Sequence, residues 1–421
     1  MTQSYRRRAA ARVGRLALVA ASLLAVGGAS ALAAPPGPAA AAPTLSAFYR
    51  VPAHLPSAPG SLVREEKVTT PGVAGTTYRV MYVSTNLSTR PVAVTGLVVV
   101  PRGAPPAGGF PVVAWAHGTN GMATQCAPSR NPGTTGAKSA FEELNALLAQ
   151  RWVVTASDYQ GEGTPGPLPY LVGGIAARDT LDLVRAARHL DRAHASRDTV
   201  VWGHSEGGLT ALFSLHIAAS YAPTLHLLGV VAGAPPSQFA FMYTALRTSP
   251  VRFYLLMAAV GYEKAYGPKK APLATVLTKK GMSLVPDMTK GCYTYVASTV
   301  DRYSMHALVK KNPYTVPAWR SLLQANDPAS FTAAAAAPLL IVEAGADTTI
   351  PPISVQLLAQ HLCSIGQVTE RWVYPGMTHT AVITVSIGDM VHWIADRFAG
   401  GPTPDPCTPV GMPGIQTSAC R

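Results

Sequence analysis

The chain has 421 residues, 48% of them apolar and 13% charged, with a formal net charge of +13. That is enough to bury a large core, as two domains or one enlarged one. The basic excess forms no Lys/Arg stripe with interleaved aromatics, which argues against nucleic acid. Cys126, Cys292, Cys363, Cys407 and Cys420 lie far apart without metal-ligand spacing, which argues against zinc.

Residues 1–33 read as a secretory signal peptide. Arg6, Arg7, Arg8, Arg12 and Arg15 make a basic start, Leu16 to Ala29 an apolar stretch too short for a membrane span, and Ala31–Leu32–Ala33 an A-x-A cleavage site. Cleavage near Ala33 lowers the net charge to +8, sends the protein outside the cell or into its envelope, and makes disulfides permissible. Residues 34–60 are rich in Ala and Pro and read as an exposed lead-in. Strand-like runs follow at Thr76–Ser84 and Val92–Val100, then a buried strand over residues 111–116 that ends in His117–Gly118–Thr119. That ending suits a loop supplying a backbone N–H to an oxyanion hole, and equally a plain tight turn. Residues 137–150 show helical spacing. Residues 152–157 form a strand that runs into a polar, glycine-rich loop from Asp158 to Gly166. Val172–His194 reads as a long helix with Leu181, Val184 and Leu190 inward and Asp179, Asp182, Arg185 and Arg188 on a solvated face.

The chain is organised around Gly203–His204–Ser205–Glu206–Gly207, a G-x-S-x-G between a β-branched run and an apolar helix, Leu209–Tyr221. This is the pattern of a nucleophile elbow, a sharp strand-to-helix turn that lifts a serine hydroxyl above the end of a sheet. Its neighbours two away must lack side chains for a serine at φ > 0 to fit. Another strand covers Leu225–Ala232, and then the alternation of strands and helices stops. Residues 237–331 read as an inserted helical cap with aliphatic and aromatic content suited to an acyl chain. Within it Lys269, Lys270, Lys279 and Lys280 read either as a solvated face or as attraction for anionic surfaces or lipid. The sheet resumes at residues 338–344, followed by Asp347, a helix over Ser354–Cys363, a last strand over Val368–Tyr374, and His379. Residues 401–421 form a Pro/Gly-rich tail. The order Ser205, Asp347, His379 is that of an α/β-hydrolase triad, a mostly parallel sheet with its core in 61–236 and 332–400. Asp389, Asp396, His361 and His392 fit those roles less well, since they lie in helical patterns. A serine made nucleophilic by an imidazole that a carboxylate orients needs no cofactor. Glu206 N–H is one oxyanion donor. The second comes from the loop after Ser157 or the loop at Thr119.

These residues resemble the secretory lipases of the fungal lipase A type and their actinobacterial relatives. The resemblance rests on Cys126–Ser129, Ser157–Gly161, Gly203–Gly208, Ser220–Pro223, Ala346–Asp347 with Pro351, and His379–Ala381. It implies Ser205, Asp347 and His379 as the triad, Asp158 with Glu206 in the oxyanion hole, and an acyl-binding lid in about 237–330. It also implies disulfides Cys126–Cys292 and Cys363–Cys407, which leaves Cys420 free. Glu206 stands where the fungal elbow has a glycine, and the C-terminal extension of the fungal enzymes is much reduced here. The expected protein is a monomeric, secreted lipase or esterase acting on small-molecule or lipid esters, with a lipid–water interface as a further partner. An acyltransferase or polyester hydrolase uses the same triad, and a non-catalytic cell-surface binding protein the same scaffold.

Overall fold

The computed structural model describes residues 46–130, 138–401 and 415–420. The expected signal peptide over residues 1–33 and Cys407 lie outside these residues. Ten strands form one sheet among the described residues: β1 (Leu62–Val68), β2 (Gly75–Thr85), β3 (Pro91–Pro101), β4 (Phe110–Ala116), β5 (Val153–Ser157), β6 (Ala195–His204), β7 (His226–Gly233), β8 (Leu339–Ala344), β9 (Thr369–Tyr374) and β10 (Gln416–Cys420). Their order across the sheet is β1-β2-β3-β5-β4-β6-β7-β8-β9-β10. The run from β5 to β9 is parallel throughout. The edges are antiparallel: β1 to β3 meet β5 on one side, and β10 closes the other.

The inner parallel strands are buried on both faces, so the centres of β4, β6, β7 and β8 are near-continuous apolar runs rather than alternating ones. Successive residues still divide between two cores. Val112, Val201, Val230 and Ile341 face one side, where α2 (Gly173–Arg188) and α3 (Glu206–Tyr221) pack. Val113, Val200, Val231 and Leu340 face the other, under α12 (Ala381–Phe398) and the end of α1 (Lys138–Ala149). A further helix, α11 (Pro352–Ser364), joins β8 to β9 on the α3 side.

Between β7 and β8 the chain leaves the sheet for seven helices: α4 (Phe239–Leu246), α5 (Phe253–Tyr266), α6 (Leu273–Val276), α7 (Lys279–Leu284), α8 (Tyr293–Val300), α9 (Met305–Leu308) and α10 (Pro317–Ala325). They build a core of their own around Met257, Val260, Val276, Val296 and Trp319, which Tyr170, Val172 and Ile175 join from the sheet side.

Four expectations need correction. Asp179 and Asp182 are not on a solvated face but fully buried. Arg185 and the Tyr221 hydroxyl donate to Asp182, so its burial is compensated, while Asp179 accepts from the backbone N–H of Gln160 through one oxygen and burial pushes it up to about 8. The helix also stops at Arg188 rather than His194. The described part of the lead-in, residues 46–60, is anchored: Tyr49 is buried with its hydroxyl 2.9 Å from Ser129 Oγ. Finally, part of the tail is strand β10, and it decides a disulfide. Cys420 pairs opposite Thr369 on β9, which brings it beside Cys363 at the end of α11. The bond is therefore Cys363–Cys420, not Cys363–Cys407, and Cys420 is not free. The expected Cys126–Cys292 bond is present.

Candidate active site

Ser205 sits between β6 and α3 with φ 59° and ψ −120°, a region that costs a non-glycine residue about 1–3 kcal/mol. Packing enforces it. A Cβ on Gly203 would come within 2.2 Å of Gly207 O, and one on Gly207 within 1.9 Å of Ala116 O. Both glycines are thus required by close backbone approach. Ser205 N–H donates to Gly233 O at 2.8 Å, tying the turn to β7.

Asp347 and His379 follow the C-terminal ends of β8 and β9, at the same rim of the sheet as Ser205, where α/β sheets place their ligands. Asp347 is buried. Its Oδ1 accepts from the N–H groups of Thr349 and Ile350, both at 2.8 Å, and so shapes its own turn. Its Oδ2 lies 2.6 Å from His379 Nδ1. An ionised carboxylate only accepts, so Nδ1 carries the proton and Nε2 is left as the acceptor. That Nε2 lies 3.0 Å from Ser205 Oγ. The structure therefore brings Ser205, Asp347 and His379 together. It leaves the rivals elsewhere: Asp389 accepts from the Tyr374 hydroxyl, and His361 Nε2 contacts Phe331 O. His204 packs its ring against His379, centroids 4.5 Å apart, and burial first, then His379, holds it well below the ordinary histidine range. It stays neutral.

Asp158 has a different place from the one expected. Its N–H donates to Thr95 O at 2.9 Å. Its fully buried carboxylate accepts from Thr95 Oγ1, from Ser129 N–H at 2.8 Å and from the Ser129 hydroxyl. Both its donor and its acceptors are committed to holding two loops, so it is a positioning residue with no free group for an oxyanion. The loop after β4 lies against the nucleophile: a Cβ on Gly118 would lie 3.8 Å from Ser205 Cβ.

Glu206 opens α3, so its N–H has no intrahelical partner. Its side chain is buried, and the Thr119 hydroxyl in the loop after β4 lies 2.8 Å from that of Tyr170. Behind it, His117 Nε2 is 3.4 Å from Glu162 Oε2. Burial is the largest influence on His117 and opposes its charge, but the nearby Glu162 and Glu206 carboxylates and Gly118 O together outweigh it and carry the imidazole up to about 9. Burial pushes Glu162 up to about 7 and Glu206 up to about 8. This His117–Glu162–Glu206 cluster was not foreseen as a unit. The one signal for it was a glutamate inside the glycine-rich loop after β5.

Ser205 and Glu206 form one end of an apolar cavity of about 1020 Å³, counted out to its open mouth. Phe239, Met242, Leu255, Tyr262, Val276 and Trp319 supply much of its wall, almost all from the helices between β7 and β8.

A mostly parallel sheet carrying a serine on a glycine-flanked elbow, with histidine and aspartate at the same rim, is the arrangement of an α/β-hydrolase. The closed state of Candida antarctica lipase A shares the fold with a TM-score of 0.75 at 21% identity, over 88% of this chain and 89% of that one. The rice cell wall degrading esterase LipA from Xanthomonas oryzae does so at 0.66 and 18%, over 80% and 98%. In sequence, a secreted triacylglycerol lipase of Malassezia globosa is 25% identical over 347 residues, 77% of this chain and 72% of that protein. A Mycobacterium tuberculosis protein named a probable inactive lipase is 24% identical over 384 residues, 86% and 84%. The sequence profile of the secretory lipases matches residues 134–405. The chain belongs to the secretory lipase family, which makes it a hydrolase of the lipase and esterase kind.

Proposed function

We propose that this chain is an exported, serine-dependent carboxylic-ester hydrolase that cleaves acyl esters, triacylglycerols among them, through an acyl-enzyme. The observation that carries the reading is the hydrogen-bonded series Asp347–His379–Ser205 at the end of an apolar cavity. Ser205 Oγ attacks the ester carbonyl while His379 Nε2 takes its proton. The bond to the alcohol oxygen then breaks, and His379 hands that proton to the departing alcohol. Water, deprotonated by the same imidazole, attacks the acyl carbon and releases the carboxylic acid and free Ser205. Asp347 orients the imidazole and stabilises its charged form. The N–H of Glu206 and that of Thr119 receive the oxyanion, a pairing supported by the nearness of Gly118 to Ser205.

The helices over 237–331 act as a lid that houses the acyl chain, a role their apolar lining supports. The family and the two disulfides support export, with residues 1–33 as the leader. One chain supplies the whole triad, which supports a monomer as the working unit.

The test is hydrolysis of p-nitrophenyl esters from acetate to palmitate, alongside labelling by a fluorophosphonate. Wild type should hydrolyse the esters and become labelled, and Ser205→Ala should do neither. A folded wild type that turns over no ester and takes no label would end the proposal and align the chain with the mycobacterial relative's name. Activity that survives Ser205→Ala would end it too.

A further inference from the structure

With residues 1–33 set aside, the chain carries 29 Lys/Arg and 21 Asp/Glu. Residues 237–331 hold twelve of the former and four of the latter, a net +8. The remainder balances at seventeen of each, so the helical insertion carries all of the net charge.

Much of that charge is gathered at one place. Leu277 and Val309 form an antiparallel bridge, Thr278 N–H donates to Leu308 O, and the N–H groups of Lys310 and Lys311 donate to Val276 O. Lysines therefore flank the bridge on both sides: Lys310 and Lys311 run back beside Val276, with Lys269 and Lys270 just ahead of α6, and Lys279 and Lys280 follow Thr278 on the other side as the start of α7. All six are exposed, and none forms an ion pair among the described residues. Lys279 and Lys280 stand in the first turn of α7, where a cation works against the helix dipole, so helix stability does not explain them. Met282, on the same helix, leaves 37% of its surface in water. The inward side of this bridge is apolar: Val276, Leu277 and Val309 line the cavity that ends at Ser205.

We propose that this lysine face of the insertion docks the protein on the surface of a bilayer rich in anionic phospholipid. Charge complementarity names the partner. Exposed lysines that form no ion pair among the described residues are attracted to anionic headgroups, the attraction grows with each lysine, and salt screens it. An exposed methionine among the lysines gives the face an apolar foothold as well. Because the same backbone bridge forms the cavity wall, docking would place the acyl cavity next to the lipid. The inference concerns binding and stands apart from the proposed chemistry.

The experiment is co-sedimentation of the full chain with vesicles of phosphatidylglycerol and phosphatidylcholine, against phosphatidylcholine alone, at 50 and 500 mM NaCl, with polyglutamate as a soluble polyanion. Wild type should bind the anionic vesicles, leave the neutral ones, and detach at high salt. The fourfold variant Lys279→Gln, Lys280→Gln, Lys310→Gln, Lys311→Gln should lose on the order of 100-fold in partitioning. It should still hydrolyse a soluble short-chain ester like wild type, which shows that it is folded. A control replacing Arg90, Arg102, Lys67 and Arg197 in the charge-balanced part by Gln should keep its vesicle binding. Equal binding to neutral vesicles, salt-insensitive binding, an unaffected fourfold variant, or capture by polyglutamate without binding to vesicles would each overturn the proposal. A catalytically dead protein that still shows the charge-dependent binding would leave it standing while ending the proposed hydrolysis.

Discussion

The sheet and the helical insertion are built on different terms. In the sheet, the residues that meet at Ser205 come from β6, β8 and β9 and are held by backbone: a strained φ, two glycines with no room for a Cβ, and an aspartate that caps its own turn. The insertion contributes no member of the Asp347–His379–Ser205 series. It supplies most of the apolar wall and all of the net positive charge. The contrast assigns the proposed reactivity to the sheet part and the proposed substrate and surface preferences to the insertion. One covalent link crosses between them, Cys126–Cys292, next to the bridge between Gly121 and Cys292 and the bond from Tyr293 N–H to Asn120 O. That end of the insertion is pinned to the loop that also carries Thr119.

The sharpest way to break this division is through the three rim residues. Ser205→Ala and His379→Ala should each lower kcat by roughly 10⁴-fold or more, and the double variant should fall little further, because the residues act as a unit. Asp347→Asn should lose about 10³–10⁴-fold through the wrong imidazole tautomer. Additive losses in single-turnover assays would show that the rim is not one device.

Next comes Gly207→Ala. The added Cβ meets Ala116 O at 1.9 Å, so the elbow must move. We expect a loss of about 3–5 kcal/mol in denaturant unfolding together with loss of activity. Gly174→Ala, where a Cβ meets nothing within 4 Å, is the matched control and should stay close to wild type.

The two disulfides sharpen the comparison. Removing Cys363–Cys420 by paired Ser substitution should cost about 2–5 kcal/mol in thermal unfolding with kcat nearly kept, since it ties β10 and α11 within the sheet part. Removing Cys126–Cys292 should cost a similar amount and also change KM for long-chain esters, because it frees the insertion beside the cavity. If neither changes KM, the insertion is not held by this link.

The smallest effect is pH-dependent. Burial raises Glu206 to about 8 in the folded protein, against about 4.3 in an unfolded chain. The folded state thus holds this proton more tightly. The stability it contributes is fully present below about pH 4.3 and is lost as pH rises through about 8. Glu206→Gln should accordingly be more stable than wild type above pH 8 by about 1–3 kcal/mol, with the gap closing towards pH 4. Ionised Glu206 would also set a negative charge beside the proposed oxyanion donors, so ester hydrolysis by wild type should decline above pH 8 more steeply than that by the variant. Parallel profiles from pH 5 to 10 would remove Glu206 from the account.

What was legible in the sequence was whatever local pattern encodes. The elbow was readable because Gly203, Ser205 and Gly207 are demanded within five residues. Asp347 and His379 were readable because each directly follows an apolar strand. What misled was pairing at a distance. Asp179 and Asp182 look like a helix surface by spacing alone, since nothing in their neighbourhood announces Gln160 or Tyr221 as donors. Asp158 sits in the right loop, but the hydrogen bonds from Ser129 and Thr95 that occupy it come from segments tens of residues away.

By itself, then, the sequence determined the elements, their order, and which three side chains end up at one rim, because strand periodicity and turn chemistry act over a few residues. The tertiary structure alone decided which cysteine Cys363 meets, which loop lies against Ser205, and that His117, Glu162 and Glu206 share one buried place. The physical reason is that hydrogen bonds, disulfides and charge interactions depend on distances of a few ångströms between segments remote in the chain, and only the packed fold sets those distances.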